Sequence, residues 1–481
     1  MFTDISFSDD RPLYLQIRDY IKQMILKGLL GQGQKLPSTR ELSSILNVSR
    51  NTVILAYEYL QDEGFIEILR GKGTFVSAIN IDYQNQWEFD WNSRLNPYAK
   101  LANELDIVKH EAKWKKGMIS FKSIAPDDKL FDVEDFKRAF LNRFSLEGEK
   151  LLNYGYAQGY KPLIEYLLQY MSNKGVNIAG KDILITNGFT EGFDIVLSAL
   201  TNPGDYILCE NPTHNTAIKI MRLHGLNIVG VGIEEDGINL AELEKVLSNR
   251  PISMGFLIPS YHNPTGIVMS PEKRIEALKI FSRYRVPIIE DGFNEELRYS
   301  GSHLSPLAAL CGRGNSVIYI GSLSKVLFPG LRVGWILGDK DLISKLESVK
   351  RSRDIHTSFL DQAVLYEYLA TGNLEKYLKK ARRIYREKYD FALECAKKYI
   401  PHKRVLGEGG LHIFVELDEN IDARIVLDKC IQANVIFMPG DIFFTDGKGE
   451  NTFRLGFARS TLDDIEKGFK IIGQIIREME E

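Results

Sequence analysis

The run Gly321-Ser322-Leu323-Ser324-Lys325, followed by Pro329-Gly330-Leu331-Arg332, brings two hydroxyls, an amine and a guanidinium into one short stretch. It follows the β-rich segment Ser316-Val317-Ile318-Tyr319-Ile320. Hydroxyls and backbone N–H groups donate to phosphate oxygens, and an arginine adds a bidentate charge. A lysine beside a bound phosphate can form a Schiff base with an aldehyde cofactor. Taken alone, a lysine after serines is most often a solvated loop. Three further stretches bear on that reading. Val286-Pro287-Ile288-Ile289-Glu290-Asp291 reads as a buried strand ending in a carboxylate, the partner that the ring nitrogen of pyridoxal phosphate needs to stay protonated. Asn263-Pro264-Thr265-Gly266 follows the apolar run Met254–Ile258. Asn187-Gly188-Phe189-Thr190 follows Asp182–Ile185 and opens a helix, which suits an anion at a helix N-terminus.

The elements that must position these groups alternate. Strands read at 182–187, 205–210, 226–232, 253–259, 286–290, 316–320 and 332–337, with helices between them at 189–200, 213–224, 239–248 and 271–284. Such alternation gives a mainly parallel α/β sheet covered on both faces, with ligands at the strand ends. After about residue 355 come long helical stretches and then Leu411–Val415 and Thr452–Leu455, which predict a small C-terminal α+β domain.

In order and spacing these motifs resemble the fold-type I aminotransferases over residues 118–481. The resemblance implies pyridoxal 5'-phosphate as cofactor and Lys325 as its Schiff-base lysine and catalytic residue. Asp291 is implied as the ring-nitrogen partner and Asn263 as a neighbour of the ring hydroxyl. Ser322, Ser324, Arg332 and the Gly188–Phe189 backbone are implied as the phosphate holders. Tyr154, in Tyr154-Gly155-Tyr156-Ala157-Gln158-Gly159, resembles the tyrosine that reaches the neighbouring subunit's phosphate; a core tyrosine is the alternative. Arg454 resembles the arginine that grips a ligand's α-carboxylate; the alternative is a surface arginine on an edge strand. Two positions depart from the pattern. Phe293 stands where a tyrosine usually follows the aspartate by two residues. His214, in Glu210-Asn211-Pro212-Thr213-His214, stands where an aromatic ring stacks on the cofactor; a histidine can stack but titrates near neutral pH, and a capping histidine is the alternative. Thr216 takes the place of a second ligand-binding arginine found in members that respond to γ-aminobutyrate. The changes at Phe293 and His214 bear on transamination rather than on cofactor binding, and Thr216 argues against γ-aminobutyrate as the effector.

The first seventy-seven residues are of another kind. Tyr14, Ile17, Tyr20, Ile21, Met24 and Ile25 recur at helical spacing. Ser38 caps a second helix with Glu41 completing a capping box, and Leu42, Ile45 and Leu46 point inward. A third helix runs from Ser49 to Glu63, and Gly64 ends it. Phe65–Leu69 and Thr74–Val76 read as strands joined by the basic tip Arg70-Gly71-Lys72-Gly73. Two helices joined by a tight turn and followed by a basic hairpin make a winged helix-turn-helix. Its third helix enters the major groove of double-stranded DNA with Ser49, Arg50, Asn51 and Thr52 toward the bases, while Arg40, Arg70 and Lys72 suit phosphates. The stretches Leu36–Leu42, Val48–Val53 and Gly71–Val76 resemble the GntR-type DNA-binding domain; a purely structural three-helix module is the alternative.

The chain has 481 residues, 44% of them hydrophobic and 26% charged, with a net charge of −3. That length suggests more than one domain. The head from Arg11 to Ser77 carries nine basic and six acidic residues. Cys209, Cys311, Cys395 and Cys430 are too scattered for a metal site or a disulfide framework. No apolar run suits a membrane span and no signal peptide is apparent, so the expectation is cytoplasmic. The expected division is a head over 1–77, a linker over 78–117 and a body over 118–481, its large part at about 150–355 and its small part at about 356–481. The linker holds Trp87, Trp91 and Trp114, which predicts that parts of it pack on the protein. As free coil it would span roughly 35 Å.

Head and body together resemble the MocR-type transcriptional regulators. That implies a head-to-tail homodimer that binds an operator, pyridoxal phosphate and an amino-compound effector. Two other readings stay open: a working aminotransferase carrying a DNA-binding head, and a sensor of pyridoxal phosphate itself.

Overall fold

The computed structural model describes residues 2, 5–8, 10–78, 89–299 and 303–480. Trp87 lies outside them. The chain divides into two compact units, residues 1–95 and 96–481.

The first unit contains α1 (Leu13–Leu26), α2 (Thr39–Leu46), α3 (Arg50–Asp62) and the antiparallel pair β1 (Ile66–Leu69) and β2 (Gly73–Val76). Ser38 and Glu41 form the capping box, and Ser49 caps α3 through the Thr52 N–H. Ile17, Ile21, Leu42, Leu46, Val53, Tyr57 and Leu60 close the core. Ile45 is exposed, contrary to the expectation of an inward residue. In so short a helix Leu42 and Leu46, four apart, define the buried stripe, and Ile45 is turned about 100° from Leu46.

The second unit is built on an eight-stranded sheet. Its strands are β3 (Lys181–Thr186), β4 (Tyr206–Asn211), β5 (Asn227–Glu234), β6 (Gly237–Ile238), β7 (Ile252–Leu257), β8 (Ile288–Asp291), β9 (Val317–Ser322) and β10 (Gly334–Asp339), in the order β3-β10-β9-β8-β7-β4-β5-β6. From β9 to β5 every pair is parallel. The sheet is less parallel than expected, because β10 runs antiparallel to both β9 and β3. Residues 323–333 between β9 and β10 include no crossover helix of the length that a parallel return needs, so the chain turns straight back. Helices Phe189–Leu200, Asn215–Leu223, Leu240–Asn249 and Pro271–Arg283 agree with the predicted ones to within two residues.

The last hundred residues include a smaller antiparallel sheet of β11 (Arg404–Leu406), β12 (His412–Glu416), β13 (Met438–Pro439) and β14 (Thr452–Gly456), in the order β11-β12-β14-β13. The segment that follows residue 95 is packed on this unit. Helix Pro97–Glu104 lies against helix Asn215–Leu223, and Glu111 pairs with Arg424 at 3.1 Å.

Candidate functional site

A cavity of about 160 Å3 opens where the parallel strands end. Its wall brings together Phe189, His214, Asp291, Phe293, Ser322, Ser324, Lys325 and Arg332, with Thr190, Thr216, Gly292 and Asn294 between them. A larger cleft of about 290 Å3, edged by Glu234, Arg404 and Asn451, holds none of the predicted cofactor residues. Asp291 is the last residue of β8 and Ser322 the last of β9. The Ser324 N–H donates to Ser322 Oγ at 3.2 Å, and the Ser322 hydroxyl donates to Ser324 Oγ at 3.1 Å. Arg332 donates to the Asn187 carbonyl at 3.1 Å and lies 3.5 Å from Ser324 Oγ. Helix Phe189–Leu200 starts at Gly188 without a side-chain cap, so its first N–H groups are available to an anion.

Gly188 holds φ +80° and ψ −173°, a conformation essentially confined to glycine. A Cβ there would come within 2.7 Å of Arg332 Nη2. Gly188→Ala is therefore expected to displace Arg332 and raise the dissociation constant of a bound phosphate-bearing cofactor about tenfold, for ~1–3 kcal/mol of strain. Titration of the purified variant measures it; unchanged affinity would mean that Arg332 does not hold the phosphate.

Four residues predicted for the cofactor or its ligand do not line the cavity wall: Gly188, Asn263, Tyr154 and Arg454. Arg454 is buried on β14, an interior strand paired with β12 and β13, so the edge-strand alternative is wrong. It donates to Asn263 Oδ1 at 2.6 Å and to the Lys122 carbonyl at 3.3 Å, and its Nε has no hydrogen-bond partner among the described residues. Asn263 is buried beneath it. Tyr154 is 79% exposed, which removes the core-tyrosine alternative.

In the first unit, Arg40, Arg50, Asn51, Arg70 and Lys72 are exposed, and none of these four cations forms an ion pair among the described residues. The Ser49 and Thr52 hydroxyls bond each other at 2.7 Å as part of the cap. Arg50 and Asn51 are thus the first-turn residues of α3 that still face solvent.

Residues 117–472 match the family model for aminotransferase class I and II. The chain belongs to that family. Residues 13–76 match bacterial regulatory proteins of the gntR family, and the two matches together make the MocR-type architecture. The chain is 28% identical over 482 residues to an uncharacterized HTH-type transcriptional regulator, YdfD of Bacillus subtilis, covering 97% of each. It is 31% identical to aromatic-amino-acid aminotransferase 1 of Thermococcus litoralis over 75% of this chain and 88% of that one. Among solved structures, the α-aminoadipate aminotransferase LysN of Thermus thermophilus, complexed with N-(5'-phosphopyridoxyl)-L-leucine, superposes with a TM-score of 0.74 at 30% identity, covering 82% of this chain and 99% of that one.

The cofactor of this fold is pyridoxal phosphate, and the cavity of this family member fits it. Burial, followed by the charges of Glu295, Glu210 and Glu290, holds the Asp291 carboxyl well above the usual carboxylate range. A protonated ring nitrogen is a cation that would bring it back. Burial also lowers the Lys325 amine to about 8, helped by Arg454, Arg332 and Arg459 and opposed by Asp291. An amine attacks an aldehyde only when neutral, and with a pKa of about 8 roughly one molecule in ten is neutral at pH 7 and nine in ten at pH 9. Cofactor capture by the cofactor-free protein is expected to speed up about tenfold between those pH values and then level off. A rate still climbing toward pH 10.5 would mean that the amine is not perturbed.

His214 does not titrate near neutrality as expected from its type. Burial pushes it down to about 3, with Lys325 and Arg454 adding repulsion, so the ring stays neutral. Its ring lies 5.5 Å from that of Phe189. Sequence reasoning passed over Arg459, whose charge reaches Lys325, and Asn294, which shares the cavity wall with Phe293.

Proposed function

We propose that the protein is a DNA-binding transcriptional regulator whose aminotransferase-like body holds pyridoxal phosphate and captures an amino compound. The observation that carries this reading is the presence, on one chain, of a gntR-family head with solvent-facing Arg50 and Asn51 and a body whose buried Lys325 and Asp291 share one cavity. When bound, the cofactor supplies an aldehyde carbon for an incoming amine and a ring that withdraws electrons. Ser322, Ser324, Arg332 and the free N–H groups after Gly188 bind the phosphate. Asp291 holds a proton at the ring nitrogen. Lys325 supplies the tethering amine, His214 and Phe189 cover the ring, and Arg454 offers an unpaired Nε–H to a ligand carboxylate.

The regulator acts as a homodimer. Tyr154 and Tyr156 are exposed, as are Leu146 and Leu152 close by in sequence, which is the kind of surface that a second copy covers. A head-to-tail pair sets the spacing of the two heads and hence of the DNA half-sites. No helix among the described residues is long and apolar enough to cross a membrane. The gntR-family head supports a cytoplasmic reading. An effector moves the heads only if it binds one arrangement of the dimer better than another.

A second reading, a working aminotransferase, is favoured by the 31% identity to the Thermococcus litoralis aminotransferase. Selection of DNA fragments by the full chain, with and without pyridoxal phosphate and a panel of amines, tests the first reading. Amino-group transfer to a keto acid, followed on the same preparation, tests the second. Failure to enrich any fragment, together with rapid turnover, would replace the first by the second.

A further inference from the structure

We propose that Asn294 donates the hydrogen bond to the cofactor's phenolate oxygen that Phe293 cannot give. The inference rests on the reading of the cavity as a pyridoxal phosphate site. Asn294 is 1% exposed and lines that cavity, yet neither its Nδ2 nor its Oδ1 has a hydrogen-bond partner among the described residues. A buried amide with both ends unpaired is costly and points to a group that completes it. The backbone supports the same view. Asn294 sits at φ +55°, a left-handed conformation that asparagine tolerates better than most residues, and it follows Asp291 by three positions in one turn.

The covalent order of the cofactor ring says which atom lies there. Between the ring nitrogen and the carbon that carries the aldehyde, one edge of the ring bears the phosphate arm and the other bears the phenolate oxygen. In this cavity Asp291 marks the nitrogen, Lys325 the aldehyde carbon, and Ser322, Ser324 and Arg332 the phosphate edge. Phe293 and Asn294, which follow Asp291 on the same wall, are assigned to the phenolate edge. Phenylalanine has no donor, whereas the amide Nδ2–H2 of Asn294 has two. Asn263, expected there from the resemblance, is not on the cavity wall.

A donor to the phenolate counts for most when the Schiff-base nitrogen has lost its proton and no longer shares the negative charge. Removing the donor therefore raises the midpoint at which the bound cofactor's absorbance changes with pH. Arg454, Arg332, Arg459 and Asp291, the charged groups that face Lys325, are unchanged in every variant below.

The test is an absorbance titration of the cofactor-loaded full chain. Asn294→Gly preserves the left-handed backbone and is expected to raise the midpoint by about one pH unit. Asn294→Asp, which also tolerates that backbone, replaces the donor with a negative charge and should raise it further. Phe293→Tyr, made in the otherwise intact chain, should move it by less than half a unit, because the oxygen already has its donor. An unmoved midpoint in Asn294→Gly, or a fall of a full unit in Phe293→Tyr, overturns the proposal. If either Asn294 variant fails to load, the Phe293→Tyr result decides alone. A wild-type chain that develops no band at all refutes the cofactor reading rather than the role of Asn294.

Discussion

Lys325→Ala is expected to abolish the absorbance band of the tethered cofactor, and borohydride should then fix no cofactor to the protein. The cavity contains one lysine, and burial together with three arginines keeps its amine partly neutral at physiological pH. Without it the cofactor is held by its phosphate and ring contacts alone and leaves on dialysis. The fold should not suffer. The Lys325 amine is lowered to about 8 from its ordinary value, so below pH 8 its charge is a burden on the folded state. The unfolded chain binds the proton more readily, and stability therefore rises with pH from about 8 to about 10.5 and the burden is fully present below 8. A difference of two to three pKa units amounts to about 3 kcal/mol, from which the loss of the side chain's packing subtracts. The cofactor-free variant should accordingly melt no lower at pH 7 than the cofactor-free parent. A band that survives, still sensitive to borohydride, would place the Schiff base on another lysine.

Arg50→Ala is expected to weaken binding to the operator about ten- to hundredfold, more than binding to random DNA, whereas Lys72→Ala is expected to weaken both alike. Arg50 is the first residue of α3, is exposed, and among the described residues its side chain makes a single long hydrogen bond, 3.4 Å from its Nε to Thr39 Oγ1. It is therefore free to swing to a base edge, where a bidentate contact is worth ~1–3 kcal/mol of discrimination. Lys72 lies in the hairpin turn between β1 and β2 and forms no ion pair among the described residues, which suits a phosphate contact. Losing one phosphate contact should lower the salt dependence of binding by about one unit of slope. The two variants are compared by titrating operator and random duplexes at several salt concentrations. Equal losses on both duplexes for Arg50→Ala would remove its base-reading role.

What could be read in advance was local in origin. The capping box of Ser38 and Glu41 and the helix start at Phe189 follow from a few adjacent residues, and the structure places both as expected. The alternation of strands and helices was equally legible, since each element carries its own hydrophobic pattern. Strand direction was not. That β10 runs against its neighbours depends on the length of a connection whose ends are defined only after folding. His214 shows the same limit for electrostatics: its type suggests titration near neutrality, but burial removes it. Asn294 left no mark in the sequence, because its signal is a missing partner, and absence of a partner exists only in three dimensions.

The bond between Arg454 and Asn263 joins β14 of the small sheet to the loop that follows β7 of the large one. Such a bond acts as a latch between two lobes. On the proposed reading, a ligand carboxylate that draws on the same guanidinium would alter that bond as it binds, so one side chain would govern both recognition and closing. Affinity for the ligand cannot then be tuned at Arg454 without also changing how readily the body opens. In a sensor built this way, the group that identifies the ligand would also be the one that reports its arrival.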